Sequence, residues 1–312
     1  MAIQPDSIAL WTIDWMSLRA EFLRLGVRVF LKRRSREFNL ETWRSNMHAT
    51  EHLVPHPPAR CRTTQVKVGP RTLYRIETDR SDRKRNLLYL HGGAYVSGGP
   101  THYRHFTWRM ADTFRACVWA LEYHLAPEHP FPAALDDAMA AYTWLSQNTP
   151  EGGQLFVMGD SAGGGLTLGL LMRLRDEVKP LPVAAVALSP WTDLALTGAS
   201  LASNAASDPM LNVHHLPVFS DYYLAGADPR SPYASPLYGD AGGLPPVLIQ
   251  VGGDEILRDD AVRMAEKLQS HNPRTRLEVW PRMPHVWQLF VPFLPEAGKA
   301  IAQIGEFIAD VR

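Results

Sequence analysis

The chain contains Leu155-Phe156-Val157-Met158-Gly159-Asp160-Ser161-Ala162-Gly163-Gly164-Gly165, in which a run of apolar strand formers ends at a Gly-x-Ser-x-Gly sequence. Helical sequence that begins near Leu166 follows at once. A serine on such a tight strand-to-helix turn has strained backbone angles, and small neighbours such as Gly159 and Gly163 tolerate them. The free N–H groups and the dipole of the helix would stabilise negative charge near Ser161. We therefore expect Ser161 to act as a nucleophile.

The segments on both sides of this turn alternate between strands and helices. A hairpin comes first, with strands over 63–68 and 72–77 joined at Gly69-Pro70. Apolar strand patterns then recur over 86–90, 116–121, 155–158, 183–188, 246–251 and 276–280. Helical patterns lie between or after them, over 133–145, 166–176 and 295–311. This alternation predicts an α/β protein with a mostly parallel central sheet that helices cover on both faces.

The composition is that of a globular protein with a neutral surface. Of 312 residues, 46% are hydrophobic and 21% are charged, which excludes a disordered chain. The 32 basic residues balance 32 acidic ones, so no overall field attracts nucleic acid or an acidic membrane. Cys61 and Cys117 do not suggest a disulfide framework. Because charged residues interrupt the N-terminal segment and no apolar run reaches membrane-spanning length, we expect the whole chain to be cytoplasmic, without stable membrane insertion.

Two regions outside the strand pattern are predicted to form a helical cap. The first is an N-terminal segment, residues 1–50, and the second is an insertion at about 192–235 within a catalytic domain that spans 51–312. From about residue 8 to residue 30, large apolar side chains recur at helical spacing, so we expect this face to be buried by packing. These side chains are Trp11, Trp15, Leu18, Phe22, Leu25 and Val29. The alternative is that one or two of these tryptophans roof a substrate pocket.

A serine nucleophile needs a base, and the base needs an acid that orients it. Asp254 follows the strand at 246–251, and His285 lies in a proline-rich loop after the next strand. Such loops at strand ends are where ligands collect in parallel sheets, and the order Ser, Asp, His is typical of α/β-hydrolases. We predict a triad of Ser161, His285 and Asp254. Asp160 is excluded because it adjoins Ser161, and the rival acids are Glu255, Asp259, Asp260 and Asp193.

A tetrahedral intermediate also needs hydrogen-bond donors for its negative oxygen. Glycines in the loop after the strand at 86–90 let backbone N–H groups approach a reacting oxygen closely. We predict an oxyanion hole made of the N–H groups of Gly92, Gly93 and Ala162. The imidazole of His91 is expected to tie this loop to neighbouring backbone.

Three motifs in this order resemble those of the bacterial branch of the hormone-sensitive lipase family. They are His91-Gly92-Gly93, Tyr123-His124-Leu125-Ala126-Pro127-Glu128-His129-Pro130-Phe131-Pro132-Ala133-Ala134 and Gly159-Asp160-Ser161-Ala162-Gly163-Gly164. The resemblance spans roughly residues 87 to 290. It implies an α/β-hydrolase fold with a helical cap, carboxylesterase activity on short or medium acyl chains, and a structural role for Glu128. Two departures affect the predicted pocket: Ala94 replaces a third glycine, and His285-Val286-Trp287 replaces the commoner His-Gly-Phe.

The sequence thus predicts a serine carboxylic ester hydrolase that acts through an acyl-enzyme on a small-molecule ester. A lactone hydrolase and a small-molecule deacetylase would use the same triad, and a non-catalytic ligand receptor could share the scaffold, as the gibberellin receptors do. We expect no cofactor and no metal site, because the histidines lack a zinc-binding spacing such as His-Glu-x-x-His. A homodimer through the strand near 277–280 and the last helix is a further possibility by analogy.

Overall fold

The computed structural model describes residues 17–31 and 38–311. Within these ranges the helices are α1 (Leu18–Leu31), α2 (Leu40–Glu51), α3 (Arg104–Phe114), α4 (Ala133–Asn148), α5 (Ala162–Asp176), α6 (Ser200–Ser203), α7 (Leu216–Leu224), α8 (Arg258–Gln269) and α9 (Pro295–Asp310). The strands are β1 (Cys61–Val68), β2 (Arg71–Thr78), β3 (Asp82–Leu90), β4 (Ala116–Glu122), β5 (Gln154–Asp160), β6 (Ala184–Leu188), β7 (Val247–Gly252) and β8 (Arg276–Trp280). The predicted strands and the helices predicted at 133–145, 166–176 and 295–311 are confirmed to within a few residues at their ends.

The eight strands form one sheet in the order β1-β2-β4-β3-β5-β6-β7-β8. The hairpin of β1 and β2 is antiparallel, and β2 also pairs antiparallel with β4. All pairs from β4 through β3 to β8 are parallel, which confirms the mostly parallel sheet. Consequently the carboxyl ends of β3, β5, β6, β7 and β8 lie along one edge, where parallel sheets carry their functional loops.

Helices cover the parallel part of the sheet on both faces. On one face α3 and α9 contribute buried side chains to a shared cluster, including Phe106, Met110, Ile304 and Phe307. On the other face α4 and α5 pack through residues such as Leu135 and Leu166. Burial on both faces explains why β5, β6 and β7 have continuous apolar sequences. The strand ends that carry the loops are therefore held on a rigid base.

Helix α1 confirms the part of the predicted N-terminal helix that lies within the described residues, but its buried face differs from the predicted one. The inward positions are Ala20 and Val27, and Leu23 packs partly buried on a cluster that includes Trp280. The predicted stripe is largely exposed, with exposed fractions of 44% to 79% at Val29, Leu25, Phe22 and Leu18. The expectation of a buried stripe is therefore wrong at these positions. Trp11 and Trp15 lie outside the described residues.

The region predicted as an insertion contains short helices joined by irregular segments. Helices α6 and α7 are its regular elements, with a short 3-10 turn at Val213–His215. Phe219 on α7 contacts α2 and the residue shortly before it. Its ring centroid lies 4.7 Å from that of Phe38 and 5.6 Å from that of Trp43. Across residues 17–31 and 38–311, none of the helices combines the length and apolarity that crossing a membrane requires.

Candidate active site

Ser161 lies at the turn between β5 and α5, partly exposed, with φ 54° and ψ −122°. Positive φ is unfavourable for a residue with a side chain, so surrounding contacts must hold this conformation. The Ser161 N–H donates to the Leu188 carbonyl at 2.8 Å, and the Ser161 carbonyl accepts from Gly165 at 3.1 Å and Trp191 at 3.0 Å. Neighbouring strand β6 and helix α5 thus fix both sides of the serine peptide.

Gly163 permits the close contact between α5 and the end of β3. A Cβ atom at this position would lie 2.0 Å from the Leu90 carbonyl oxygen, a distance that no side chain tolerates. The glycine therefore brings the N-terminus of α5 against the loop that follows β3. The same Cβ atom would lie 2.5 Å from the His91 carbonyl oxygen, so the N-terminus of α5 lies beside the residue that precedes Gly92 and Gly93.

His285 lies in the loop after β8 with 5% of its surface exposed, and its Nδ1 atom lies 2.7 Å from Oε2 of the fully buried Glu255. A carboxylate only accepts hydrogen bonds, so Nδ1 carries the proton and Nε2 remains free to accept one. Burial alone would lower the pKa of His285, but the charge and hydrogen bond of Glu255 raise it above its ordinary value. The charge of Asp160, which directly precedes Ser161, acts in the same direction.

The structure corrects the prediction that Asp254 orients His285. The carboxylate of Asp254 faces away from the imidazole and pairs with Arg24 of α1. The adjacent Glu255 points inward instead, where its Oε1 accepts from Gly252 N–H at 2.5 Å and from the Ser189 hydroxyl at 2.7 Å. The reason is the direction of the turn after β7. It leaves the side chain of Asp254 partly exposed and directs that of Glu255 into the interior.

Side chains distant in sequence hold that turn, and the sequence near Asp254 does not indicate them. The amide of Asn204 donates to the carbonyls of Gly253 and Glu255, and the buried Asp208 accepts from the Ile256 N–H at 2.9 Å. Both residues lie between β6 and β7, more than forty positions before the turn. No local signal near Asp254 could have revealed contacts over that separation.

The remaining rival acids have other partners. Asp259 accepts from the Ser200 N–H, Asp260 accepts from the N–H of Thr192, and Asp193 accepts from Thr197. Ser189 has a further function beside Glu255, because its hydroxyl also accepts from the Val286 N–H at 3.2 Å. It therefore links the acid to the residue that follows the histidine.

The loop after β3 also differs from the predicted oxyanion hole in one donor. The Gly92 N–H donates to Oδ1 of Asp160 at 2.9 Å, so it is not free to face a substrate oxygen. This corrects the assignment of Gly92. In the described part of the chain, the N–H groups of Gly93, Ala94 and Ala162 have no hydrogen-bond partner. Gly93 and Ala162 thus retain the predicted availability, and Ala94 joins them.

Asp160 holds this loop from below. Its buried carboxyl group accepts from the Tyr89 hydroxyl at 2.5 Å and the Tyr103 hydroxyl at 3.2 Å as well as from Gly92. Burial raises the pKa of Asp160 to about 6, and these hydrogen bonds oppose that rise. The residue before the serine thus fastens the glycine loop to the serine turn.

His91 ties the loop to backbone, as the sequence predicted. Its Nδ1 lies 2.7 Å from the Gly92 carbonyl oxygen, and its ring stacks on Tyr123 with centroids 4.2 Å apart. Burial lowers the pKa of His91 to about 4, which keeps the ring neutral near pH 7. Because a carbonyl only accepts, Nδ1 is the protonated nitrogen.

One group outside this site has side chains of the kind that bind metal ions. His48 and Glu51 of α2 and His102 after β3 place ligand atoms within 4.8 Å of one another. The guanidinium of Arg104 lies 4.0 Å from the Glu51 carboxylate and donates to the Glu51 carbonyl at 2.8 Å. This positive charge beside the carboxylate opposes the binding of a cation.

Known proteins share both the sequence and the architecture of this chain. A family model described as the alpha/beta hydrolase fold matches residues 87–289. The crystal structure of an esterase from the bacterial hormone-sensitive lipase family has 38% sequence identity and a TM-score of 0.88, covering 95% of this chain and 99% of that one. The chain belongs to the bacterial hormone-sensitive lipase family.

Curated relatives of this hormone-sensitive lipase family member carry hydrolase names. An acetyl-hydrolase of Streptomyces hygroscopicus is 45% identical over 78% of this chain and 81% of its own length. An esterase of Acinetobacter venetianus is 35% identical over 71% of this chain and 73% of its own length. The family and these relatives make the chain a serine hydrolase of carboxylic esters.

Proposed function

We propose that Ser161, His285 and Glu255 hydrolyse esters of short to medium acyl chains through an acyl-enzyme. The supporting observation is the buried contact between His285 and Glu255. The Val286 N–H donates to Ser189, and the preceding residue, Leu188, accepts from the Ser161 N–H, so the histidine loop and the serine turn are held by adjacent residues. Nε2 of His285 takes the proton from Ser161 Oγ as that oxygen attacks the acyl carbon. Collapse of the intermediate breaks the ester bond, and the leaving alcohol takes the proton from Nε2. Water then attacks the acyl-enzyme, passes its proton through Nε2 to Ser161 Oγ, and releases the carboxylic acid.

The N–H groups of Gly93, Ala94 and Ala162 form the oxyanion hole in this proposal. Each is unpartnered within the described residues, and Ala162 adds the positive end of the α5 dipole. Ala94 replaces a glycine of the family pattern without loss of a donor, because its N–H is backbone. Its methyl group instead changes the pocket beside the acyl group.

We further propose that residues 1–50 and about 192–235 form the cap over this site. The contacts of Phe38 and Trp43 with Phe219 support a joint structure of these two regions. One relative carries the name acetyl-hydrolase, which supports a small-molecule deacetylase as the second candidate for this chain. A lactone hydrolase would use the same residues. Rates on aryl esters of increasing acyl length, on lactones and on N-acetyl compounds separate the three.

The proposal also includes a cytoplasmic location and a homodimer. Free thiols at Cys61 and Cys117 agree with a reduced compartment. Strand β8 stands at one edge of the sheet, where a second copy could pair with it. Light scattering after size exclusion, compared between the wild type and a variant with proline in β8, tests the dimer.

Replacement of Ser161 by alanine tests the nucleophile. We expect hydrolysis of p-nitrophenyl acetate to fall by at least roughly 10³-fold, with unchanged thermal stability. A fluorophosphonate should add to the wild type and not to Ser161→Ala, as intact mass would show. Activity of the variant near that of the wild type would exclude this serine, and would also reopen the receptor alternative for the site.

A further inference from the structure

Three consecutive residues of the loop after β3 have positive φ: 116° at Gly93, 55° at Ala94 and 63° at Tyr95. Glycine adopts this region readily, but residues with a Cβ atom do so only when other contacts hold them. The loop conformation is therefore strained, and it would relax if its contacts were lost. Those contacts are hydrogen bonds to its carbonyl groups.

A peptide unit is planar, so fixing a carbonyl oxygen also fixes the direction of the N–H on the next residue. The Gly92 carbonyl contacts the His91 ring at 2.7 Å, which fixes the N–H of Gly93. The Gly93 carbonyl accepts from the Ser97 hydroxyl at 3.0 Å and from the Ser97 and Val96 N–H groups, which fixes the N–H of Ala94. The two oxyanion donors proposed in this loop are thus each aimed by a bond on the opposite side of their own peptide.

Helix α2 reaches the second of these bonds. The indole Nε1–H of Trp43 donates to the Ser97 hydroxyl at 2.9 Å. Because Ser97 is 2% exposed and its oxygen accepts this bond, its hydroxyl proton is directed at the Gly93 carbonyl. Trp43 therefore determines the orientation of a hydroxyl that in turn holds the peptide of Ala94.

The neighbouring Arg44 attaches α2 to the same loop. Its Nε donates to the Val96 carbonyl and its Nη2 to the Ala126 carbonyl, both at 2.7 Å. The carboxylate of Glu128 accepts from Nη1 at 2.6 Å and from Nη2 at 2.7 Å, in the structural role that the family resemblance implied. The Tyr95 carbonyl accepts from the Ala126 N–H, which completes the attachment. The position of Trp43 is thus fixed relative to the loop.

We propose that Trp43 is a positioning residue of the hydrolysis, which acts through Ser97 and the Gly93 carbonyl to aim the Ala94 N–H at the oxyanion. The inference rests on the proposed function, because it requires Ala94 to be an oxyanion donor. Through Trp43, helix α2 of the proposed cap would contribute to stabilisation of the transition state. Movement of α2 would change the rate of the chemical step as well as access to the pocket.

Three variants of the full chain test this inference: Trp43→Phe, which removes the indole donor, Ser97→Ala, and the double variant. We expect each single variant to lower kcat roughly tenfold with little change in KM, since a misaimed donor costs less than the 10²- to 10³-fold of a deleted one. Affinity for an alkyl trifluoromethyl ketone, whose serine adduct bears an oxyanion, should fall in parallel. The double variant should be no slower than Ser97→Ala alone.

Trp144→Phe is the matched control, because Trp144 packs edge-on against Trp119 and its indole N–H has no acceptor among the described residues. It should retain wild-type kcat. An increase in KM at constant kcat, or additive losses in the double variant, would overturn the positioning role. If Trp43→Phe does not fold, Ser97→Ala tests the path through which Trp43 would act. Unchanged kcat and unchanged affinity for the ketone in Ser97→Ala would then overturn the inference. An active Ser161→Ala would refute the proposed function itself, whereas an unimpaired Ser97→Ala refutes only this inference.

Discussion

The two neighbouring carboxylates Asp254 and Glu255 perform different tasks because the turn after β7 sends them in opposite directions. Glu255 is fully buried against His285, whereas Asp254 pairs with Arg24. A negative charge against Nδ1 both selects the imidazole tautomer and stabilises the imidazolium that forms during catalysis. Asp254 instead forms an ion pair with Arg24 of α1, so its charge neither selects the tautomer of His285 nor stabilises the imidazolium.

Glu255→Gln and Asp254→Asn form a matched pair that separates these roles. We expect Glu255→Gln to lower kcat roughly 10²- to 10⁴-fold, because the amide cannot stabilise the imidazolium. Asp254→Asn should stay within about threefold of the wild type, since a partly exposed ion pair contributes little. Steady-state kinetics on p-nitrophenyl acetate with both proteins gives the answer. The reverse ranking would restore Asp254 as the acid.

The pH dependence of kcat/KM should report His285. Its imidazole must be neutral to accept the Ser161 proton, so activity rises as pH increases through the histidine pKa. Glu255 raises that pKa above the ordinary value of 6.5, which moves the rising limb to higher pH. Removing the charge in Glu255→Gln destabilises the imidazolium, so the limb of the residual activity should move to lower pH. An unmoved limb would show that another group controls it.

Some of these residues could be predicted from the sequence and others could not. Ser161 and His285 follow strand ends that apolar patterns identify, so their approximate place could be predicted. The choice between Asp254 and Glu255 depends on Asn204 and Asp208, which contact the turn from the segment between β6 and β7. Likewise the loss of Gly92 as a donor depends on Asp160 of another strand. Long-range hydrogen bonds decide both cases, and the local sequence does not encode them.

At the level of elements, the contact of α5 with β3 depends on the absence of a side chain at Gly163. Gly163→Ala would place a methyl group 2.0 Å from the Leu90 carbonyl, so we expect a loss of about 3 kcal/mol in the free energy of unfolding. Activity should fall as well, because the loop with the proposed oxyanion donors begins at His91, directly after Leu90. Urea denaturation and kcat measure the two effects.

Gly298 on α9 provides the control for that substitution. A Cβ atom there has nothing within 4 Å, and the position is exposed within the first turns of the helix. Gly298→Ala should therefore raise the free energy of unfolding by up to about 1 kcal/mol, because alanine favours helix more than glycine. Equal effects at both positions would show that helix propensity, and not the contact with Leu90, governs residue 163.

Helix α1 shows what periodicity can and cannot decide about an element. Spacing of three to four residues identified a helix, and the helix is present. The same segment has two faces at that spacing, one with Leu18, Phe22 and Leu25, the other with Ala20 and Leu23. The small side chain of Ala20 allows the helix to approach the Trp280 cluster, so the less hydrophobic face is buried. Packing against a distant partner overrode the hydrophobic pattern.

At the scale of the molecule, α1 packs on the outside of the sheet and the helices that cover it. Ser17 bonds to Glu296 of α9 through its N–H at 2.6 Å, and Arg24 pairs with Asp254. Residues of α1 also line one side of a cavity of about 210 Å³, whose other side includes Ser207 and Pro209. By contrast, the serine turn, the histidine loop and the glycine loop all depend on the sheet. Removal of α1 should therefore affect substrate binding more than the reactivity of Ser161.

A chain that begins at residue 35 tests this division. We expect it to unfold cooperatively with about 3 kcal/mol less stability, the cost of losing side chains such as Leu23 and Val27 from the interior. A small fluorophosphonate should still label Ser161 at a rate near that of the full chain, because none of the proposed catalytic groups belongs to α1. KM for a p-nitrophenyl ester with an eight-carbon acyl chain should rise more than KM for the acetate, because we expect the cavity beside α1 to receive only the far end of a long acyl chain. Loss of both cooperative unfolding and labelling would show instead that α1 is part of the core on which the active site depends.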